Sequence, residues 1–153
     1  MPTTDLVAPN AIIPSLKVSG KKQVLQEIAA KAAELTGQSD KTIVEILAQR
    51  EKLGSTGVGS GVAIPHGKLP NLDRVFGLFA RLERPVEFDA LDGQPVDLVF
   101  LLLAPEGAGA DHLKALARVA RLLRDPEVAR KLRNSRDVET IHGVLSTSSA
   151  DAI

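Results

Sequence analysis

Val96-Asp97-Leu98-Val99-Phe100-Leu101-Leu102-Leu103-Ala104, VDLVFLLLA, carries one early charge and is otherwise apolar. A run of this kind reads as a strand covered on both faces, in the middle of a sheet. It is far too short to cross a bilayer. Asp92-Gly93, just before it, is a turn signal. Further upstream, Val75 to Leu82 alternates, with Phe76, Leu78, Ala80 and Leu82 on one face and Gly77, Phe79 and Arg81 on the other, as a strand should. Val86 to Phe88 suggests a shorter strand. Downstream, Asp111 to Leu123 has a helical stripe of Leu113, Leu116, Ala117, Ala120 and Leu123. Asp125-Pro126 pairs an N-cap with a first-turn proline and starts a helix through Leu132. A last short helix is expected from Asp137 to Leu145, and the small, polar tail Ser146 to Ile153 is expected to fray.

Toward the N-terminus, Leu25, Ile28, Ala29, Ala32 and Leu35 make Lys21 to Thr36 an amphipathic helix, closed by Gly37. Ser39 and Asp40 offer N-caps for a second helix, in which Ile43, Ile46 and Leu47 share a face. Arg50 prolongs that inward stripe at the helix C-terminus. Helices before and after the strands, around one wholly apolar strand, predict an α/β sandwich: a mixed sheet with helices on both faces. At 153 residues and 44% hydrophobic composition, one domain is expected across 1–153, with its core at about 13–145.

Nineteen basic and nineteen acidic residues balance, so no overall field draws the chain to nucleic acid or an anionic membrane. The absence of cysteine excludes disulfides, thiolate nucleophiles and cysteine-ligated metals. MPTTDLVAPNAIIPSL lacks a basic region ahead of an apolar run and is interrupted by Pro9 and Pro14, so it is a poor signal peptide and a cytoplasmic location is expected.

Gly54 to Lys68, GSTGVGSGVAIPHGK, holds five of the twelve glycines and one of three histidines. Two phosphate-binding patterns fail on it. A Walker loop ending at Gly67-Lys68 needs glycine where Val62 stands and Ser or Thr where Leu69 stands; the dinucleotide pattern from Gly57 again needs glycine at Val62. Glycines 54, 57, 59 and 61 could simply build tight turns. They leave Pro65-His66-Gly67-Lys68 unexplained: proline fixes the approach to the imidazole, and Gly67 leaves it sterically open. His66, His112 and His142 lack metal-ligand spacing, so no metal is expected, and no G-x-S-x-G elbow surrounds Ser55 or Ser60.

The run REKLGSTGVGSGVAIPHGKL, Arg50 to Leu69, closely resembles the active-site segment of the IIA proteins of the phosphoenolpyruvate-dependent phosphotransferase system, fructose/mannitol class, and above all their nitrogen-regulatory branch. The likeness continues through Phe88 to Asp125 and spans about Ile13 to Leu145. It implies a phosphocarrier, not a turnover enzyme on a small molecule. His66 would accept a phosphoryl group from an HPr-type carrier, Arg50 would stabilise it, and His112 would be a second active-site histidine. Gly67, Lys68, Ser55 and Thr56 are expected to support the phosphate loop. His142 matches no motif of the family. A neutral imidazole is a competent nucleophile near pH 7, and transfer needs little beyond positioning and charge stabilisation. No cofactor is implied.

The expected role is regulation of partners in nitrogen metabolism and potassium transport, sensor-kinase components included, through the phosphorylation state. Three rivals stand beside it: a sugar-uptake IIA unit that passes phosphate to a IIB protein, a binding module that works unphosphorylated, and a nucleotide-binding enzyme.

Overall fold

The computed structural model of the chain describes residues 7–151, and side chains through residue 146. After a short 3-10 turn at Pro9–Ala11, the elements in chain order are β1 (Ile12–Leu16), α1 (Lys21–Thr36), α2 (Asp40–Lys52), β2 (Gly57–Gly59), β3 (Val62–Ala63), β4 (His66–Leu69), β5 (Phe76–Val86), β6 (Val96–Pro105), α3 (Ala110–Arg124), α4 (Pro126–Asn134) and α5 (Val138–Asp151). The strands form one mixed sheet in the order β1-β5-β6-β3-β2, with β4 also on β6. α1 and α2 pack together against β5 and β4, while α3, α4 and α5 pack together against β6 and β1. The expected sandwich is therefore present.

β6 is the centre of the sheet because residues 98–104 are fully buried and can satisfy their backbone only between other strands. It pairs antiparallel with β5, where Phe79 faces Phe100 across the ladder with ring centroids 6.3 Å apart. On its other side it takes β3 and β4 in parallel. Val62 pairs Leu98, Ala63 pairs Val99, and His66 to Leu69 pair Leu102 to Pro105, all with the same offset. β3 and β4 are thus one path broken at Pro65, which has no N–H to give but whose carbonyl still accepts Leu102 N at 2.9 Å.

The helix ends follow the predicted chemistry. Gly37 closes α1 with φ 75° and an N–H bond to Ala33 O, and Ser39 caps α2 by accepting Thr42 N. Asp125 caps α4 through Glu127 N.

Five expectations change. β1 was not anticipated: Pro14 disguises it, yet Pro is tolerable in a strand at a sheet edge, and β1 pairs only with β5. β4 replaces expected loop. The two strands read at 75–82 and 86–88 are one, β5, whose register shifts between Arg81 and Val86. The buried stripe of α3 is His112, Ala115, Val119, Leu122 and Leu123, while Leu113 is 68% exposed. Of the expected stripe, Leu123 is buried and Leu116 and Ala120 pack partly buried against the core, so reading His112 as polar turns the stripe part-way round the helix. α5 runs on to Asp151, past the predicted stop at Leu145, since Ser146 to Asp151 contains no glycine or proline to end it. The last two residues of the predicted tail, and the first six of the chain, lie outside the described residues.

Gly67 has a duty other than leaving the imidazole open. A Cβ there would lie 2.4 Å from Ile46 Cγ2 on α2. That methyl belongs to a β-branched side chain held at χ1 within a helix, so it cannot swing aside cheaply. Gly67→Ala is expected to destabilise the protein by about 1–3 kcal/mol, measured by urea unfolding.

Candidate functional site

The site forms where the end of α2, the start of β4 and the first turn of α3 meet. Side chains alternate along a strand. Since Gly67 faces Ile46 of α2, His66 points to the opposite side, where its ring centroid lies 5.7 Å from that of His112. Among the described residues β4 pairs only with β6, leaving its other edge without a strand partner, and Arg50 reaches the imidazole from the last turn of α2. Arg50 Nε donates to His66 Nε2 at 3.2 Å. Arg50 Nη1 donates to Gly54 O at 2.9 Å, so the guanidinium is held by its own helix-end turn. Gly54 sits at φ 145°, where side chains are rarely accommodated.

The tautomer of His66 follows from its neighbours. Nδ1 lies 2.9 Å from the Ile64 carbonyl, which can only accept, so Nδ1 carries the proton. Nε2 is then the lone-pair nitrogen, as its bond from Arg50 also requires. The pKa of His66 is lowered from 6.5, first by burial; the Ile64 carbonyl opposes this, the Arg50 charge adds to it, and the Glu51 charge opposes it. His112 is lowered too, by burial and then by the charges of His66 and Lys68. It is 7% exposed, and its Nδ1 is buried without a hydrogen-bond partner among the described residues.

These directions set the pH behaviour. With its pKa lowered, His66 keeps a neutral imidazole to lower pH than an ordinary histidine, so any chemistry that uses its lone pair is expected to decline at a pH below the ordinary 6.5 midpoint, as a pH–rate profile checks. Stability runs the same way. The unfolded histidines bind protons near their ordinary 6.5 while the folded ones still resist, so stability falls as pH drops through 6.5 and levels off below the folded pKa. Denaturant unfolding across this range checks the sign, and His66→Gln should reduce the dependence.

The remaining anticipated residues lie around this group. Lys68 is exposed on β4. Ser55 Oγ donates to Phe88 O at 2.7 Å and accepts Gly57 N at 3.0 Å. Thr56 is buried, and its N–H and hydroxyl both donate to Glu51. Ser60 and Gly61, at φ 58° and 81°, make the two-residue turn joining β2 to β3 that a tight hairpin demands. Much of the glycine content thus builds a hairpin. Glu51 and Lys21 were not anticipated: their charges meet at 2.9 Å beneath the loop. The adjacency of Glu51 to Arg50 in the sequence was the available signal.

The family model for the phosphoenolpyruvate-dependent sugar phosphotransferase system, EIIA 2, matches residues 5–148. A nitrogen regulatory protein of Bradyrhizobium diazoefficiens is 70% identical over 152 residues, 99% of each chain. The crystal structure of nitrogen regulatory protein IIA-Ntr from Neisseria meningitidis superposes with a TM-score of 0.88 at 35% identity, covering 93% of this chain and 97% of that one. The IIA mannitol enzyme of Escherichia coli, solved in complex with phosphorylated IIB mannitol, has a TM-score of 0.78 over 92% of this chain and 97% of its own; at 19% identity this likeness concerns the fold alone. Together they support a regulatory protein of the phosphotransferase type. By the family match and the extent of these identities, the chain belongs to the EIIA type 2 family of the phosphoenolpyruvate-dependent phosphotransferase system.

Proposed function

We propose that the protein is a phosphocarrier that takes a phosphoryl group onto His66 Nε2 from an HPr-type donor, and that its phosphorylation state regulates its partners. The observation that carries this reading is the fixed tautomer: Nδ1–H is engaged by Ile64 O, leaving the Nε2 lone pair beside the Arg50 guanidinium. In the transfer, the Nε2 lone pair attacks phosphorus, the donor's P–N bond breaks, and its electrons stay on the donor's imidazole nitrogen. His66 keeps its Nδ1 proton on Ile64 O throughout.

Arg50, now a donor to Nε2, would turn its N–H groups to the phosphoryl oxygens, and a neutral His112 would offer them a further N–H. Lys68 adds positive charge nearby. Ser55 and Thr56 support the loop through bonds to Phe88 and Glu51, and Gly67 supports it by letting α2 approach β4.

We extend the reading to regulated partners in nitrogen metabolism, which the likeness to nitrogen regulatory proteins supports, and to potassium-transport and sensor-kinase components in the cytoplasm. No helix among the described residues is long and apolar enough to cross a membrane. Incubation with phosphoenolpyruvate, enzyme I and an HPr-type carrier should add one acid-labile phosphoryl group by intact mass. No adduct from a donor active on other carriers would overturn the reading. Onward transfer to a sugar-specific IIB would instead assign the chain to uptake.

A further inference from the structure

Behind His66 the hydrogen bonds form a continuous path that begins at a partly buried ion pair. Lys21 Nζ lies 2.9 Å from Glu51 Oε1, and the Glu51 side chain is 7% exposed. The same carboxylate accepts Thr56 N at 3.1 Å and the Thr56 hydroxyl. Thr56, 3% exposed, accepts Ile64 N on its own carbonyl at 2.9 Å. The carbonyl of Ile64 then takes the Nδ1 proton of His66.

A second arm leaves the same residue. Glu51 follows Arg50 on α2, and its carbonyl accepts Gly54 N at 3.1 Å, fixing the turn whose carbonyl holds Arg50 Nη1. This second arm is main-chain only, so the carboxylate of Glu51 bears on the imidazole arm alone.

A partly buried ion pair is a poor source of stability, because desolvation of the carboxylate cancels much of its attraction. An apolar pair would fill the space but would give Thr56 N and its hydroxyl nothing to bind. The position of a backbone carbonyl is what the carboxylate supplies. That carbonyl decides which imidazole nitrogen is free, as an outer hydrogen bond does for a metal-binding histidine.

We propose that Glu51, charge-paired to Lys21 and bonded to Thr56, is a positioning residue for phosphoryl acceptance: its carboxylate fixes the segment whose Ile64 carbonyl selects the Nδ1–H tautomer of His66. This rests on the reading of His66 as acceptor. None of the three side chains contacts the phosphoryl group in this role. Thr56 thereby acts through the backbone behind the imidazole.

The test has two readouts. Nitrogen-15 NMR of the unphosphorylated protein reports the His66 tautomer, and transfer kinetics with an HPr-type carrier report kcat and KM. Wild type should show one tautomer, with the proton on Nδ1. Glu51→Gln, which keeps the volume, and Thr56→Val should show mixed tautomers, with kcat lower by on the order of 10- to 100-fold and KM for the carrier little changed. Thr56→Ser, which restores the hydroxyl, should recover both. Should Thr56→Val not fold, Glu51→Gln and Lys21→Met carry the same comparison. Folded variants with the wild-type tautomer and wild-type kcat would overturn the proposal. A wild type that accepts no phosphate would count against the acceptor reading instead, and the tautomer comparison would still decide the positioning.

Discussion

His66→Ala is expected to accept no phosphoryl group under conditions that fully load the wild type, with its urea midpoint close to the wild-type value. Loss is complete because no second nucleophile of the right kind is free at the same place. His112 is the only other imidazole in the cluster, and it lies in the first turn of α3, with its Nδ1 buried and its ring centroid 5.7 Å from that of His66. His142 is on α5. The fold should survive because the imidazole is only half-buried and makes one backbone bond, to Ile64 O. Intact-mass analysis after exposure to the donor system checks this. An adduct of unchanged stoichiometry on the alanine variant would move the acceptor elsewhere.

Arg50→Ala is expected to lower the rate of phosphoryl acceptance by about two to three orders of magnitude, the usual cost of deleting one pre-positioned donor to developing charge. The guanidinium is placed before the phosphate arrives, held by Gly54 O on one side and touching the nucleophile on the other. For the transfer step the Nε–H has only to turn from Nε2 to the phosphoryl oxygens, with Nη1 still held by Gly54 O. Arg50→Lys should not restore the rate, because an ammonium cannot hold the Gly54 carbonyl and meet the imidazole in the same fork geometry. Rapid-quench measurement of phosphate uptake from a preloaded HPr-type carrier gives the rate directly, and an unchanged rate would remove Arg50 from the mechanism.

Local chemistry made much of the fold readable. The apolar run at Val96 reads as a central strand, and Gly37, Ser39 and Asp125-Pro126 mark helix ends by mechanisms that need no tertiary contact. What stayed hidden depends on partners remote in sequence. β1 contains a proline and becomes a strand because β5 offers it a ladder. HGKL has no strand pattern of its own and takes the register of β6. His112 faces inward toward another imidazole, so hydropathy turned the expected stripe of α3 toward Leu113 while still including the buried Leu123.

The site divides in the same way. His66, Arg50 and His112 were nameable from a motif, but which nitrogen of His66 keeps its lone pair depends on Ile64 O and Arg50 Nε, which only the folded loop brings into place. Glu51 was visible beside Arg50 in the sequence, yet its tie to Thr56 and Lys21 required the turn at Gly54 and the packing of α1 on α2.

The most direct measurement is nitrogen–phosphorus correlation NMR on ring-labelled protein loaded by an HPr-type carrier. Phosphorus coupled to Nε2 of His66, with Nδ1 still protonated, is the expected result. Phosphorus on Nδ1 of His66, or on another residue, would contradict the tautomer on which the proposed mechanism depends.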